Sequence, residues 1–307
     1  MRIVFFGTPE FAVASLRALL RARVEVAGVV TQPDKPQGRS RSALVAPPVK
    51  RLAQSAGLPV LQPVRPVGDL FLASLRRLDA DLGVVVAYGH ILKPAVLETP
   101  PRGMLNVHAS LLPRFRGAAP IQHAILVGES ETGVSIMQME AGLDSGPVLH
   151  RVATPIVAGE TAGALAARLS ELGAEALVET LSLVSAGLSR PEPQNHEAAT
   201  YAPKVDRGVA RLDWGRDAAA LARQVRAFDP APGAWSLLDD AAVKLFEGEP
   251  ADGAGLPGTV LAAGERLLVA SGQGALAVRE VQPAGRSRMP VDAWARGRGI
   301  APGRRFE

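Results

Sequence analysis

Cysteine is absent from all 307 residues. That excludes a disulfide scaffold, a thiolate nucleophile and any Cys-ligated zinc or iron–sulfur centre, and it removes any reason to suppose secretion. Long apolar runs are missing too: no stretch approaches the roughly 18 residues that a membrane helix needs. Ile3 to Phe6 is far too short for the apolar region of a signal peptide, and Glu10 follows closely. A soluble cytoplasmic protein with no membrane attachment is therefore expected. The five histidines, His90, His108, His123, His150 and His196, include no pair at the spacing of a helical metal-ligand motif, so no metal is expected. Internal repeats and low-complexity tracts are also absent.

A further absence concerns glycine at the first turn. Arg2 to Phe6 reads as a buried strand ending in Gly7, which invites a dinucleotide site, but the turn is Gly7-Thr8-Pro9-Glu10-Phe11. A pyrophosphate site needs G-x-G-x-x-G so that the backbone can approach the phosphates. Here only the first glycine exists, and Glu10 falls in the first helical turn. With the P-loop pattern missing as well, an NAD-dependent oxidoreductase and a nucleotide hydrolase both lose their main support. Thr8 and Pro9 instead read as an N-cap and a first-turn proline.

What is present is the profile of a loop-rich globular protein: 47% hydrophobic and 21% charged residues, with 31 Gly and 25 Pro. The length suggests two domains. Val24 to Thr31 reads as a second strand, Val49 to Ala56 as a helix, Leu82 to Ala87 and Met104 to Val107 as buried strands, Pro120 to Val127 as a helix, Gly133 to Met139 as a strand and Thr161 to Ala186 as a long helix. This alternation predicts a Rossmann-like, largely parallel α/β sheet covered on both faces. Near Pro191 to Pro203 the periodic pattern gives way to Pro, Gln, Asn and Glu, which places a linker at about 190–205 between a first domain (1–205) and a second (206–307). In the second, an amphipathic helix from Asp217 to Phe228 precedes short strands around Ala234, Ala242, Gly258, Leu267 and Ala275. That spacing suggests a small barrel of oligonucleotide-binding (OB) type.

The net charge of +4 conceals an uneven distribution. Lys35 to Arg51 carries Lys35, Arg39, Arg41, Lys50 and Arg51 and no acid. Val281 to Glu307 sets Arg286, Arg288, Arg296, Arg298, Arg304 and Arg305 against only Asp292 and Glu307, so the rest of the chain is net acidic. Two basic segments on an acidic body suggest a polyanionic partner.

The densest chemistry lies in Leu105 to Ile121. On an extended strand Asn106 and His108 share a face, because side chains alternate with period two. An amide and an imidazole at the carboxyl end of a parallel strand stand where ligands of such sheets bind. The amide can donate to an oxyanion, and the imidazole can move a proton near neutral pH. A second polar loop, Met139 to Gly146, places Asp144 where it could reach the ring. That set suits acyl transfer in which a substrate amine attacks directly.

The stretch from Asn106, Asn-x-His-x-Ser-Leu-Leu-Pro followed by Arg-Phe-Arg-Gly-Ala-Ala-Pro-Ile, resembles the signature of the 10-formyltetrahydrofolate-dependent formyltransferases. Phe5 to Phe11, Thr31 to Asp34, Val85 to Gly89, Glu131 to Met139, Gly142 to Gly146 and Ala227 to Pro230 are similar to further blocks of that family, in the same order. The resemblance implies that Asn106, His108 and Asp144 are catalytic. It implies that Ser110, Leu111, Leu112 and Pro113 form part of the folate site, with the pterin pocket near Tyr88, Gly89, Ile91, Met139 and Gly142. The implied co-substrate is 10-formyltetrahydrofolate, with no NAD and no metal, and the implied acceptor is the amine of methionyl initiator tRNA, formylated for translation initiation. Arg39, Arg41 and Lys50 would meet the acceptor arm, and Arg286, Arg288, Arg298 and Arg304 would meet phosphates along the tRNA. A monomer is expected. Two neighbouring activities stay open: formylation of a nucleotide-linked amino sugar, which would not need an extended basic surface, and hydrolysis of formyltetrahydrofolate. An RNA-binding protein with a decayed catalytic domain is a third alternative, but it would not be expected to keep Asn106, His108 and Asp144 together.

Overall fold

A computed structural model describes residues 1–37, 43–298 and 300–307. The chain forms two compact units, one made of 1–117, 132–154 and 166–201, the other of 118–131, 155–165 and 202–307. The second is thus not one contiguous stretch.

The first unit is built on a seven-stranded sheet. In chain order its elements are β1 (Arg2–Gly7), α1 (Glu10–Arg21), β2 (Glu25–Val30), the hairpin β3 (Lys35–Gln37) and β4 (Ala43–Val45), α2 (Pro48–Ser55), β5 (Val60–Leu61), α3 (Asp69–Arg76), β6 (Leu82–Val86), α4 (Pro94–Leu97) and β7 (Met104–His108). Beyond α5 (Pro120–Val127), a helix of the second unit, come β8 (Glu131–Gln138), β9 (Val148–Pro155) and the long α6 (Ala162–Ser185). The sheet order is β5-β2-β1-β6-β7-β8-β9. The pairs from β5 to β7 are parallel, and β7 pairs β8 antiparallel. Every residue of β6 is buried, as its unbroken apolar run requires. One face packs Phe6, Val30, Phe71, Leu75, Val85 and Met104 into a common core.

The first turn shows what its single glycine is for. A methyl group on Gly7 would lie 2.7 Å from the Phe5 ring and 2.8 Å from the Ala12 side chain, so this glycine lets strand and helix meet closely. Thr8 does not cap α1, contrary to the sequence expectation. Pro9 takes the N-cap position, and Thr8 Oγ1 instead donates to the Tyr88 carbonyl at 3.0 Å, tying the end of β1 to the end of β6.

The second unit carries α7 (Ala218–Ala227), the strands β10 (Ala234–Leu238), β11 (Ala241–Ala251), β12 (Val260–Ala263), β13 (Leu267–Ala270), β14 (Ala275–Pro283) and β15 (Met289–Pro290), and α8 (Val291–Arg298). Asp217 caps α7 by accepting from the Ala220 N–H at 2.7 Å. The antiparallel order β10-β11-β14-β13-β12 leaves β10 and β12 as edges. Residues 303–307 stitch to both: Glu307 and Leu237 exchange backbone hydrogen bonds, and Phe306 N–H and Val260 N–H bond to Gly258 and Arg304 carbonyls at 2.8 and 2.7 Å. The sheet therefore closes on itself through this segment.

Candidate functional site

Asn106 and His108 project from one face of β7, as period two requires. Beyond β7 the chain turns through residues 109–117, and two anchors hold that loop. Ser135, opposite His108 in the β7–β8 ladder, donates its hydroxyl to the Ser110 carbonyl at 2.7 Å and accepts from the Leu112 N–H at 3.0 Å. Further on, the Phe115 N–H donates to Thr200 Oγ1 at 2.8 Å. Within the loop Ser110 Oγ donates to the Arg114 carbonyl at 2.6 Å.

Asp144 reaches this point by an indirect path. The register sets Gln138 opposite Leu105, so β8 ends beside the start of β7, and the loop 139–146 must run back along the sheet. It does so with Asp144 itself in the left-handed region, φ 46°. Its carboxylate then gathers the site: Asn106 Nδ2 donates to Oδ1 at 3.4 Å, the Gly117 N–H donates to Oδ2 at 2.8 Å, and His108 Nδ1 stands 3.7 Å from Oδ2. The other ring nitrogen of His108, Nε2, donates to the Phe115 carbonyl at 2.9 Å. His108 is 6% exposed and Asp144 15%, so both work largely out of water, where such interactions are stronger. The three residues read from the sequence are therefore in one cluster.

The residues assigned to folate divide. Ser110 and Leu112 are buried, while Leu111, Pro113 and Met139 are partly buried beside the cluster's loops. Gly89 and Gly142 are exposed, and Ile91 is 82% exposed. The Tyr88 ring is 1% exposed and belongs to the core with Phe6 and Met104, so this position presents only its backbone. Among the tRNA-assigned cations, Arg39, Arg41 and the Arg298 side chain lie outside the described residues. Lys50 Nζ donates to both Asp34 carboxylate oxygens, at 2.8 and 2.7 Å. Hydrogen bonds from Gln62 and Lys50 hold the Asp34 carboxyl below its usual range. Arg288 pairs with Asp229 at 2.8 Å, with Glu280 and with Glu247, and lies over the Phe246 ring; Arg304 pairs with Asp239. Arg286 is exposed. Sequence reasoning gave no role to Ser135, Thr200, Arg116 or Gln194, which hold the loops. Their partners are backbone groups or side chains far along the chain, and no local spacing announces them. No helix of the described residues is long and apolar enough to cross a membrane.

A largely parallel sheet with an amide, an imidazole and a carboxylate gathered at the end of one strand defines a class, and comparison with known proteins agrees. Residues 1–181 match the formyl transferase family and residues 204–299 the formyl transferase C-terminal domain family. The methionyl-tRNA formyltransferase of Citrifermentans bemidjiense is 46% identical over 304 residues, covering 99% of this chain and 95% of its own. That of Ruegeria pomeroyi is 47% identical over 306 residues, covering 100% of each. The chain belongs to the formyl transferases and, within them, to the methionyl-tRNA formyltransferase family. Among solved structures, HypX from Aquifex aeolicus shares the fold with a TM-score of 0.70 at 22% identity over 96% of this chain, which spans about half of that protein (48%). The sugar 3N-formyl transferase WlaRD does so with a TM-score of 0.66 at 16% identity, over 94% of this chain and 99% of its own.

Proposed function

We propose that the chain transfers the formyl group of 10-formyltetrahydrofolate to the free amine of methionyl initiator tRNA, giving N-formylmethionyl-tRNA for translation initiation. It works as a cytoplasmic monomer. The observation that carries this reading is the convergence of Asn106, His108 and Asp144 at the end of β7; the acceptor follows from the methionyl-tRNA formyltransferases that the chain resembles over its full length. The residues present fit a formyl donor. The Asn106 amide has two N–H groups and directs one bond to Asp144, at 3.4 Å, which leaves a donor for a formyl oxygen. Ile91 after β6 and Leu143 after β8, 82% and 55% exposed, offer apolar surface in the loops of the two strands that flank β7.

When bound, 10-formyltetrahydrofolate supplies the electrophilic formyl carbon and the departing N10. The substrate's own amine is the nucleophile, so the chain needs neither thiol nor activated hydroxyl. Asn106 donates to the formyl oxygen as negative charge develops there. His108 passes the proton that the attacking amine releases to the departing N10, and Asp144 orients both the amide and the ring and balances the imidazolium. The loops 88–91, 110–113 and 139–142 frame the donor.

Incubation with 10-formyltetrahydrofolate and either methionyl initiator tRNA or an amino-sugar nucleotide decides the acceptor. Formyl transfer to the methionyl amine is expected, whereas transfer to the sugar nucleotide alone, or hydrolysis alone, overturns the reading. Asn106→Ala lowers kcat by on the order of 10² to 10³, and His108→Ala by roughly 10² to 10⁴. Either variant turning over at the wild-type rate removes that residue from the assignment.

A further inference from the structure

The segment after α6, which composition marks as a linker, is stitched to the catalytic loops over residues 192–201. Glu192 and Val148 exchange two backbone hydrogen bonds at 2.8 Å, and the Thr200 carbonyl accepts from the Arg116 N–H, also at 2.8 Å. Between these points Gln194 is 5% exposed and fully engaged. Its Nε2 donates to the carbonyls of Asp144 and Gly146, at 2.9 and 2.7 Å. Its Oε1 accepts from Arg116 Nε at 3.1 Å and Nη2 at 2.7 Å. Arg116, 4% exposed, also donates from Nη2 to His196 Nδ1 at 3.2 Å. The guanidinium polarises the Gln194 carbonyl and strengthens its N–H groups as donors. Those donors hold the Asp144 and Gly146 carbonyls, directly after the left-handed residue that carries the carboxylate. The same stretch lies tight against the end of β8, since a methyl group on Gly146 would lie 2.0 Å from the Gln138 carbonyl oxygen.

We propose that Gln194 is a positioning residue for the formyl transfer inferred above, on which this proposal rests. Clamped by Arg116, its carboxamide holds the Asp144–Gly146 backbone so that the Asp144 carboxylate stays on Asn106, His108 and the Gly117 N–H. Gln194 itself touches none of these three groups. It acts through Asp144, and the catalytic geometry depends on a residue fifty positions downstream.

Two variants test this. Gln194→Ala removes the clamp, and Gln194→Glu keeps its shape and the acceptor for Arg116 while turning an oxygen toward the two carbonyls. Both should lower kcat by on the order of 10², the cost of a displacement of about 1 Å, with KM for either substrate within about threefold of wild type because binding groups are untouched. The discriminating measurement is a double-mutant cycle with Asp144→Asn. If Gln194 acts through the carboxylate, Gln194→Ala costs its full factor in the wild-type background and almost nothing beside Asp144→Asn. An equal factor in both backgrounds, an unchanged kcat in either folded Gln194 variant, or failure of both to fold overturns the proposal in favour of a purely structural role. Failure of the underlying reading is seen separately: the wild-type chain transfers no formyl group, or Asp144→Asn alone turns over normally.

Discussion

Tyr88 illustrates how far a single position can depart from the role its neighbours suggest. Its ring stacks edge-on against Phe6, with centroids 5.4 Å apart, and its hydroxyl is buried without a hydrogen-bond partner among the described residues. Burial pushes that hydroxyl's pKa up to about 12. Tyr88→Phe should therefore leave stability at neutral pH unchanged or raise it by about 1 kcal/mol, because it deletes an unsatisfied polar group. The alkaline behaviour should separate the two proteins. In the unfolded chain a tyrosine ionises near pH 10, whereas the buried one keeps its proton toward about 12. Its contribution to stability is thus whole below about pH 10 and is lost as pH rises through that window. Urea unfolding from neutral pH upward should show a steeper decline for wild type than for the variant, with formyl transfer unaffected; parallel declines would mean that the hydroxyl is not buried. Other positions were readable from the sequence. The two-residue period puts Asn106 and His108 on one face and Asp144 lies in a polar loop long enough to return to them, but it is the resemblance to the formyltransferase blocks that singled the three out. Gln194 was not readable, because its partners are two carbonyls and a guanidinium some 50 and 80 positions away, and its Pro-, Gln- and Asn-rich surroundings read as linker.

Among the elements, β6, α5 and α6 lie almost where hydrophobic pattern alone puts them, since each must bury a continuous face or stripe. Strand direction is another matter. The pattern of Gly133 to Met139 marks a strand but cannot say that it pairs antiparallel to β7, and that direction is why the Asp144 loop starts at the far end of the sheet. The closure of the second sheet is likewise invisible locally, because residues 303–307 carry no strand pattern and become one only between two edges. Phe306 anchors this closure: it is 1% exposed, and its ring centroid lies 5.7 Å from that of Trp214. Phe306→Ala should cost roughly 3–5 kcal/mol through lost burial and the cavity left behind. The urea midpoint should fall with an unchanged slope. A loss below about 1 kcal/mol would show that the closing segment is held by its backbone bonds alone.

At the scale of the molecule, the uneven charge seen in the sequence needs correction by pairing. The segment from Val281 onward looks strongly basic, yet Arg288, Arg296 and Arg304 are engaged with Asp229, Asp292 and Asp239. A cation already neutralised by a carboxylate releases few counterions when RNA arrives, so it adds little to affinity or to its salt dependence. Arg286, exposed on the turn after β14, is differently placed. The two arginines, two positions apart, should therefore behave oppositely when replaced by glutamine. Arg286→Gln should leave thermal stability alone and reduce the slope of log binding constant against log salt by about 1, if it meets a phosphate. Arg288→Gln strands Asp229, whose side chain is 7% exposed, and should cost roughly 1–3 kcal/mol of stability. Its salt slope should stay near that of wild type. Binding of methionyl initiator tRNA across a salt series, with thermal unfolding of the same preparations, reads both effects. A fall in slope for Arg288→Gln with stability intact would mean that this ion-pair cluster opens on the RNA and lends its cation to a phosphate.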